Sequence, residues 1–94
     1  MKKTWMVAAM AAVALATASP AAADDSGYLG LLKGEQFYSR LGPQVLLQEG
    51  HKVCRMISAG SSESDIYPVV VQDLSVSYYA AGMIVGAAAA GLGC

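Results

Sequence analysis

The sequence is poor in the side chains that build catalytic and metal sites. Its 94 residues contain one histidine and two cysteines, and 14% of them are charged. His51 and Cys54 lie three positions apart, but a thiol nucleophile also needs a contacting base and a third group that orients it. Zinc usually takes three or four protein ligands, and the chain has no second histidine and no CxxC pair. We therefore predict no catalytic residue, no metal site and no cofactor.

The start of the chain has the three-part pattern of a secretory leader. Two lysines follow Met1, and an uncharged apolar stretch runs from Trp5 to Ala18. Ala21 and Ala23 supply the small side chains that signal peptidase requires before its cut. The apolar stretch is shorter than the roughly 20 residues that span a bilayer, which argues against an uncleaved anchor. We predict cleavage immediately before Asp24.

Cleavage there divides the chain into a signal peptide, residues 1–23, and one exported domain, residues 24–94. We expect this domain to be secreted or held in the cell envelope. Lys2 and Lys3 leave with the leader, so seven acidic side chains remain against four basic ones, a net charge of −3. Nucleic-acid binding depends on clustered Lys and Arg that neutralise phosphates. An acidic domain with scattered bases argues against a nucleic-acid partner.

The two cysteines of the exported domain are Cys54 and Cys94. A domain of this size buries too little surface to be more than marginally stable, and secreted domains commonly add a covalent link. A bridge between the two cysteines would close a loop of about 40 residues and stabilise the fold by about 4 kcal/mol. An intramolecular disulfide is our preferred interpretation. A disulfide-linked dimer and a free terminal thiol are the alternatives.

Helical periodicity dominates the exported domain, and we predict an all-α fold, a small bundle of three to four short helices linked by one disulfide. Asp25 or Ser26 can cap the first helix, and residues 35–42 are predicted to form a connector. In residues 66–72 the three valines favour a strand and the cap that precedes them favours a helix, whereas Pro68 opposes a long element of either kind. We predict a short helix there. The predicted helices cover residues 24–33, 43–59, 66–72 and 74–92.

The helix that begins at Pro43 has the clearest signals, because proline favours the first turn and Gly60 can end it. Helical spacing predicts one buried stripe formed by Leu46, Gly50, Val53, Cys54 and Ile57. The polar side chains on this helix are expected to meet solvent; they are Glu49, His51, Lys52 and Arg55. A possible capping box, formed by Ser62 and Asp65, follows it.

Small residues recur every four positions in the last predicted helix, at Gly82, Gly86 and Ala90. Such a stripe lets a second helix approach closely. We assign it to packing inside the domain against the middle helix, over Gly50, with self-association as an alternative. Residues 74–94 carry no charge, so membrane insertion must also be considered. It is disfavoured, because alanine and glycine gain little in hydrocarbon and no basic flank follows.

Four short motifs stand out in the exported domain: Leu31-Leu32-Lys33-Gly34, Gly50-His51-Lys52-Val53-Cys54, Ser58-Ala59-Gly60 and the terminal Cys94. With these motifs the pattern as a whole resembles a small secreted actinobacterial family, domain of unknown function 732, which is common in mycobacteria. The resemblance covers residues 24–94 and implies a signal peptide, an all-helical domain, a disulfide between Cys54 and Cys94, and no assigned activity. Pro68 and the valines that follow it depart from the simpler helical stretch expected there.

These observations favour a secreted, non-enzymatic helical module that acts by contact with a protein, an envelope component or a small apolar ligand. Tyrosine is favoured in binding patches, and Tyr78 and Tyr79 point in different directions on a helix, so at least one should be exposed. The alternative is a membrane-active or membrane-anchored peptide that uses the Ala/Gly-rich last helix. An enzyme built on His51 and Cys54 is the least favoured hypothesis.

Overall fold

A computed structural model describes residues 24–94, so the predicted leader and its recognition residues Ala21 and Ala23 lie outside the described part of the chain. Residues 24–94 fold into helices and contain no strand, which confirms the all-α class. Residues 24–94 contain five helices instead of the predicted three to four. They are α1 (Asp25–Leu32), α2 (Gln36–Leu41), α3 (Pro43–Ser58), α4 (Glu63–Leu74) and α5 (Tyr78–Gly91).

The first helix begins after a side-chain cap. Asp24 has an extended backbone, and its carboxylate accepts the N–H of Gly27 at 2.9 Å. The expectation that Asp25 or Ser26 would cap this helix was therefore wrong by one position. Ser26 instead donates its hydroxyl to the Asp24 carboxylate. A carboxylate at this end also interacts favourably with the positive end of the helix dipole.

The predicted connector contains the short helix α2, which the sequence analysis missed. It buries Phe37 and ends at Gly42, whose N–H bonds to the carbonyl of Tyr38. Gly42 has a φ of +85°, a conformation that glycine adopts without strain. This turn lets α3 begin at once with Pro43 in its first position, as predicted.

The short helix predicted over residues 66–72 is part of the longer helix α4, and Pro68 lies inside it. Three apolar side chains four residues apart supply its buried face; they are Ile66, Val70 and Leu74. Pro68 is exposed, so its ring lies on the solvent side of the helix. The predicted capping box is wrong, because Ser62 makes no side-chain cap and contacts the hydroxyl of Ser64 instead.

The last helix is the centre of the domain, since α5 packs against α1, α3 and α4. Ser77 caps it by accepting the N–H of Ala80 at 3.1 Å. Half of its fourteen residues are buried; these are Ala80, Ala81, Ile84, Val85, Ala87, Ala88 and Gly91. Because these side chains are small on average, α1, α3 and α4 can all pack close to the axis of α5.

Candidate functional site

An open cleft lies between α2 and the turn that joins α4 to α5. Its volume is about 420 Å³, within the range of small-molecule and peptide sites. Both walls come from short segments: the first wall is one face of α2, and the second is the turn with the first residues of α5. The lining residues are Gln36, Phe37, Arg40, Ser75, Val76, Ser77 and Ala80.

The floor of the cleft is apolar because the core extends beneath it. Phe37, Val76 and Ala80 are each less than a tenth exposed. Ser75, which ends α4, has a left-handed backbone with a φ of 54°, an uncommon conformation for a residue with a side chain. This turn places Val76 in the core and allows Ser77 to cap the next helix.

The rim of the cleft is polar, and its only charged side chain is Arg40. Arg40 lies in the last turn of α2 and is exposed. Within residues 24–94 the ion pairs are His51–Asp25 and Lys52–Asp73, so the guanidinium has no carboxylate partner there. None of the lining residues is acidic. The cleft is therefore a locally basic site on an acidic domain.

Two tyrosines follow the lining residue Ser77 in the first turn of α5. Tyr78 is 57% exposed and Tyr79 is 74% exposed, which confirms that at least one of this pair faces solvent. Tyr78 stacks edge-to-face on Tyr67, with ring centroids 5.3 Å apart. Tyr67 in turn donates to Glu63 at 3.1 Å, and this hydrogen bond raises the pKa of the Tyr67 hydroxyl. Tyr79 has no such support and is the more adaptable of the two.

The two cysteines are joined in a disulfide, with their Cα atoms 5.2 Å apart. The bridge links Cys94, just after α5, to the C-terminal half of α3. His51 does not face Cys54 in this arrangement; its Nε2 lies 3.0 Å from the Asp25 carboxylate at the start of α1. The candidate thiol and its candidate base are therefore occupied by separate structural contacts.

The three glycines predicted to pack helices together, Gly50, Gly82 and Gly86, differ in how closely other atoms approach them. A Cβ added at Gly50 would lie 2.6 Å from Cζ of Tyr28 in α1 and 3.0 Å from Cδ1 of Leu92, directly after α5, so this predicted packing glycine is in close contact with both. At Gly82 the nearest atoms belong to Tyr67 at 3.8 Å, an ordinary contact. Gly86 is exposed, and nothing would lie within 4 Å of its Cβ. The assignment of Gly86 to internal packing was wrong, because it faces away from the core.

The glycine that α5 requires is Gly91, which is not one of the predicted stripe residues Gly82, Gly86 and Ala90. A Cβ there would lie 2.5 Å from Cα of Tyr28 and 2.6 Å from its backbone nitrogen. The backbones of α1 and α5 therefore touch at this point. Tyr28 is fully buried, and its hydroxyl donates to the carbonyl of Leu46 in α3.

Glu49 was expected in solvent, but it is only 6% exposed, and this expectation was wrong. It lies on the inner side of α3, and its Oε2 has no hydrogen-bond partner within residues 24–94. Burial, with the nearby Asp73 carboxylate, raises the pKa of Glu49 to about 7. Lys52 donates to Asp73 at 2.6 Å, and this hydrogen bond holds the pKa of Asp73 below its usual range.

In the part of the chain that the structure describes, no individual helix has the length and apolar character to cross a membrane. Within residues 24–94, α4 and α5 have that length and apolar character only when they are taken together. This pair is bent by 112° at the turn between the two helices. Most of the apolar side chains of this pair are in the core described above.

These features define a class: a small all-α domain with a central alanine-rich helix and one disulfide between that helix's end and the middle of the bundle. The family model described as "Protein of unknown function (DUF732)" matches residues 23–94. The chain therefore belongs to this family. Comparisons with curated proteins and with solved structures gave no match.

Proposed function

We propose that this protein is an exported binding module that holds an acidic segment of a partner protein in the cleft between α2 and the start of α5. The observation that carries the proposal is the combination of an apolar floor with Arg40, which has no carboxylate partner within residues 24–94. A chain lying across the floor would bury Phe37 and Val76 further. One of its carboxylates would then pair with the guanidinium.

The charges around the cleft support an acidic occupant. Residues 24–94 carry a net charge of −3, yet the cleft lining contains one arginine and no acid. Complementary charge of this kind sets partner choice and speeds association more than it adds affinity. The N-terminal end of α5, where Ser77 stands, also opens on the cleft and contributes the positive end of a helix dipole.

The two tyrosines beside the cleft support a protein rather than a small molecule as the occupant. Tyrosine and arginine are enriched among the residues that dominate protein interfaces. Tyr78 and Tyr79 hold their rings in solvent next to the lining residue Ser77, which widens the contact surface beyond the cleft itself. A small ligand held by the floor alone would not need them.

Export is part of the same proposal. The leader pattern in residues 1–23 directs the chain out of the cytoplasm, and a structural disulfide is typical of oxidising compartments. An actinobacterial source belongs to the proposal as well. We propose binding instead of catalysis because Cys54 is tied to Cys94 and His51 to Asp25.

Photocrosslinking in the cells that export the protein tests this proposal. A benzoylphenylalanine replaces Tyr79 in the full chain, and in a control chain it replaces Leu31, which is 54% exposed on α1. We expect a discrete protein adduct from position 79 only, and we expect Arg40→Glu to abolish it. Equal adducts from both positions, or none, would overturn the proposal. Partition of the exported protein into a detergent phase would instead favour the membrane-active alternative.

A further inference from the structure

The contact between α3 and α4 contains a group that none of the interactions described for the cleft uses. Glu49 lies on the inner face of α3, next to the Asp73 carboxylate of α4, and is only 6% exposed. Its Oε2 receives no hydrogen bond from residues 24–94. A buried carboxylate with an unsatisfied oxygen is costly, whereas a neutral carboxyl group is far less so.

The charged neighbours of Glu49 do not compensate for its own negative charge. Nζ of Lys52, one turn further along α3, lies 2.6 Å from the Asp73 carboxylate. Its positive charge is therefore paired with Asp73 and not with Glu49. From α1, the neighbouring titratable group is the Tyr28 hydroxyl, which is buried and donates to Leu46. The helix α5 carries no charged side chain. A second negative charge beside Asp73 would therefore remain unpaired in the interior.

We propose that docking of α4 on α3 is coupled to proton uptake by Glu49, so that the domain is held more tightly in mildly acidic surroundings than above neutral pH. In the docked state the carboxyl is neutral and lies beside the Asp73–Lys52 ion pair. Loss of its proton places two carboxylates side by side and loosens the contact. The affected elements are α4 and, through it, the turn that forms one wall of the cleft.

The direction of the pH effect follows from the pKa values. Burial, followed by Asp73, raises the pKa of Glu49 from its ordinary value of 4.5 to about 7, and Lys52 opposes this only in part. Between these two pH values the folded chain holds a proton that the unfolded chain has lost. The free energy of unfolding therefore falls as the pH rises through this window, and is level above it.

Asp73 limits the effect at the acidic end. Its hydrogen bond from Lys52 lowers its pKa below the ordinary value of 3.8, so its contribution to stability is present above that value and lost as the pH falls further. The buried Tyr28 hydroxyl, whose pKa is raised by burial and then by Glu49, stays neutral throughout. Stability should accordingly be greatest at about pH 4 to 5.

Thermal unfolding of the exported protein with its disulfide intact, measured from pH 4.5 to 8.5, tests the inference. We expect the Tm to fall by about 4 °C or more between pH 5 and pH 8. Glu49→Gln, which keeps the shape and removes the charge, should give a nearly level profile and a higher Tm than the unaltered protein at pH 8. Glu35→Gln, an equal change of charge at the start of α2, should keep the original slope. A Glu49→Gln profile as steep as the original would overturn the inference.

A direct titration covers the case in which Glu49→Gln fails to fold. The carbon chemical shifts of the glutamate carboxyl groups report each midpoint in the unaltered protein. We expect the Glu49 midpoint well above the ordinary glutamate value of 4.5. A Glu49 midpoint in the ordinary glutamate range would overturn the inference, whatever the variant does.

Discussion

Tyr28 and Gly91 meet backbone to backbone, so that a Cβ on Gly91 would lie 2.5 Å from the Cα of Tyr28. The same tyrosine passes its ring over Gly50 and donates its hydroxyl to Leu46. One residue of α1 is thereby fixed to both α3 and α5. An isolated helix of eight residues is not stable in water. The short helix α1 is therefore stabilised by the tertiary contacts that the hydroxyl, the ring and the backbone of Tyr28 make with α3 and α5.

The first prediction concerns Gly91→Ala, set against Gly86→Ala in the same helix. The added methyl at position 91 must displace the backbone of α1, so the free energy of unfolding should drop by about 1–3 kcal/mol. At position 86 the added methyl has no neighbouring atom within 4 Å. The better helix propensity of alanine should therefore raise the free energy of unfolding of this variant by about 0.5–1 kcal/mol. Urea unfolding followed by circular dichroism measures both. Equal effects at the two positions would contradict the close contact of α1 with α5.

The second prediction concerns Gly50→Ala, with Gly82→Ala as its control. The Tyr28 ring cannot move away from the added methyl without losing its hydrogen bond to the Leu46 carbonyl. The free energy of unfolding of Gly50→Ala should therefore fall by about 1–3 kcal/mol. The control adds a methyl at ordinary contact distance from Tyr67 and should gain up to about 1 kcal/mol. Loss of Tyr28 packing should also change the near-ultraviolet circular dichroism of the Gly50→Ala variant only. A stable Gly50→Ala variant would show that the ring is not confined.

The sequence predicted the fold class, the bounds of α3 to within one residue and the pairing of the cysteines. Each rests on a strong local signal: a proline at a helix start, a glycine after its end, and two cysteines in a chain predicted to be exported. The helix α2 escaped prediction because six residues are too few to show a periodic face. Its existence depends on Phe37 reaching the core, which only the tertiary structure shows.

Two errors came from residue type overriding spacing. Glu49 lies three residues after Leu46 and four before Val53, so helical spacing already placed it on the buried stripe of α3. Its charge led to the opposite expectation. The stripe of small residues was also assigned to the wrong side of α5. The buried positions Ala81, Ile84, Ala88 and Gly91 follow helical spacing equally well, and their face excludes Gly86.

The cleft itself could not be predicted, because its walls come together only through the left-handed turn at Ser75. Arg40 and Val76 are 36 positions apart in the chain, and neither has a distinctive motif around it. The exposed tyrosines were the one part of the site with a signal in the sequence, since neighbouring aromatic residues on a helix cannot share one face.

The third prediction concerns the disulfide. Cys54→Ser should lower the free energy of unfolding by about 4 kcal/mol, because the unfolded chain regains the freedom of a loop of that length. The double variant with Cys94→Ser should lose no more than the single one, since both remove one bridge. Intact mass after alkylation supplies the chemical check. The exported monomer should take up two alkyl groups only after reduction, whereas a free thiol or a dimer before reduction would contradict the pairing.

The fourth prediction separates binding from stability at the cleft. Arg40 and Tyr79 are exposed and make no side-chain hydrogen bond within residues 24–94, so Arg40→Gln and Tyr79→Ala should change the free energy of unfolding by less than about 0.5 kcal/mol. Binding should respond far more strongly. In an NMR titration with a glutamate-rich peptide that contains leucine, the backbone amides of Phe37, Val76 and Ala80 should shift. The same peptide with lysine in place of glutamate should leave them unmoved, and Arg40→Gln should abolish the response to the acidic one. Shifts of similar size with both peptides would show that the apolar floor acts alone and that the guanidinium does not select the occupant.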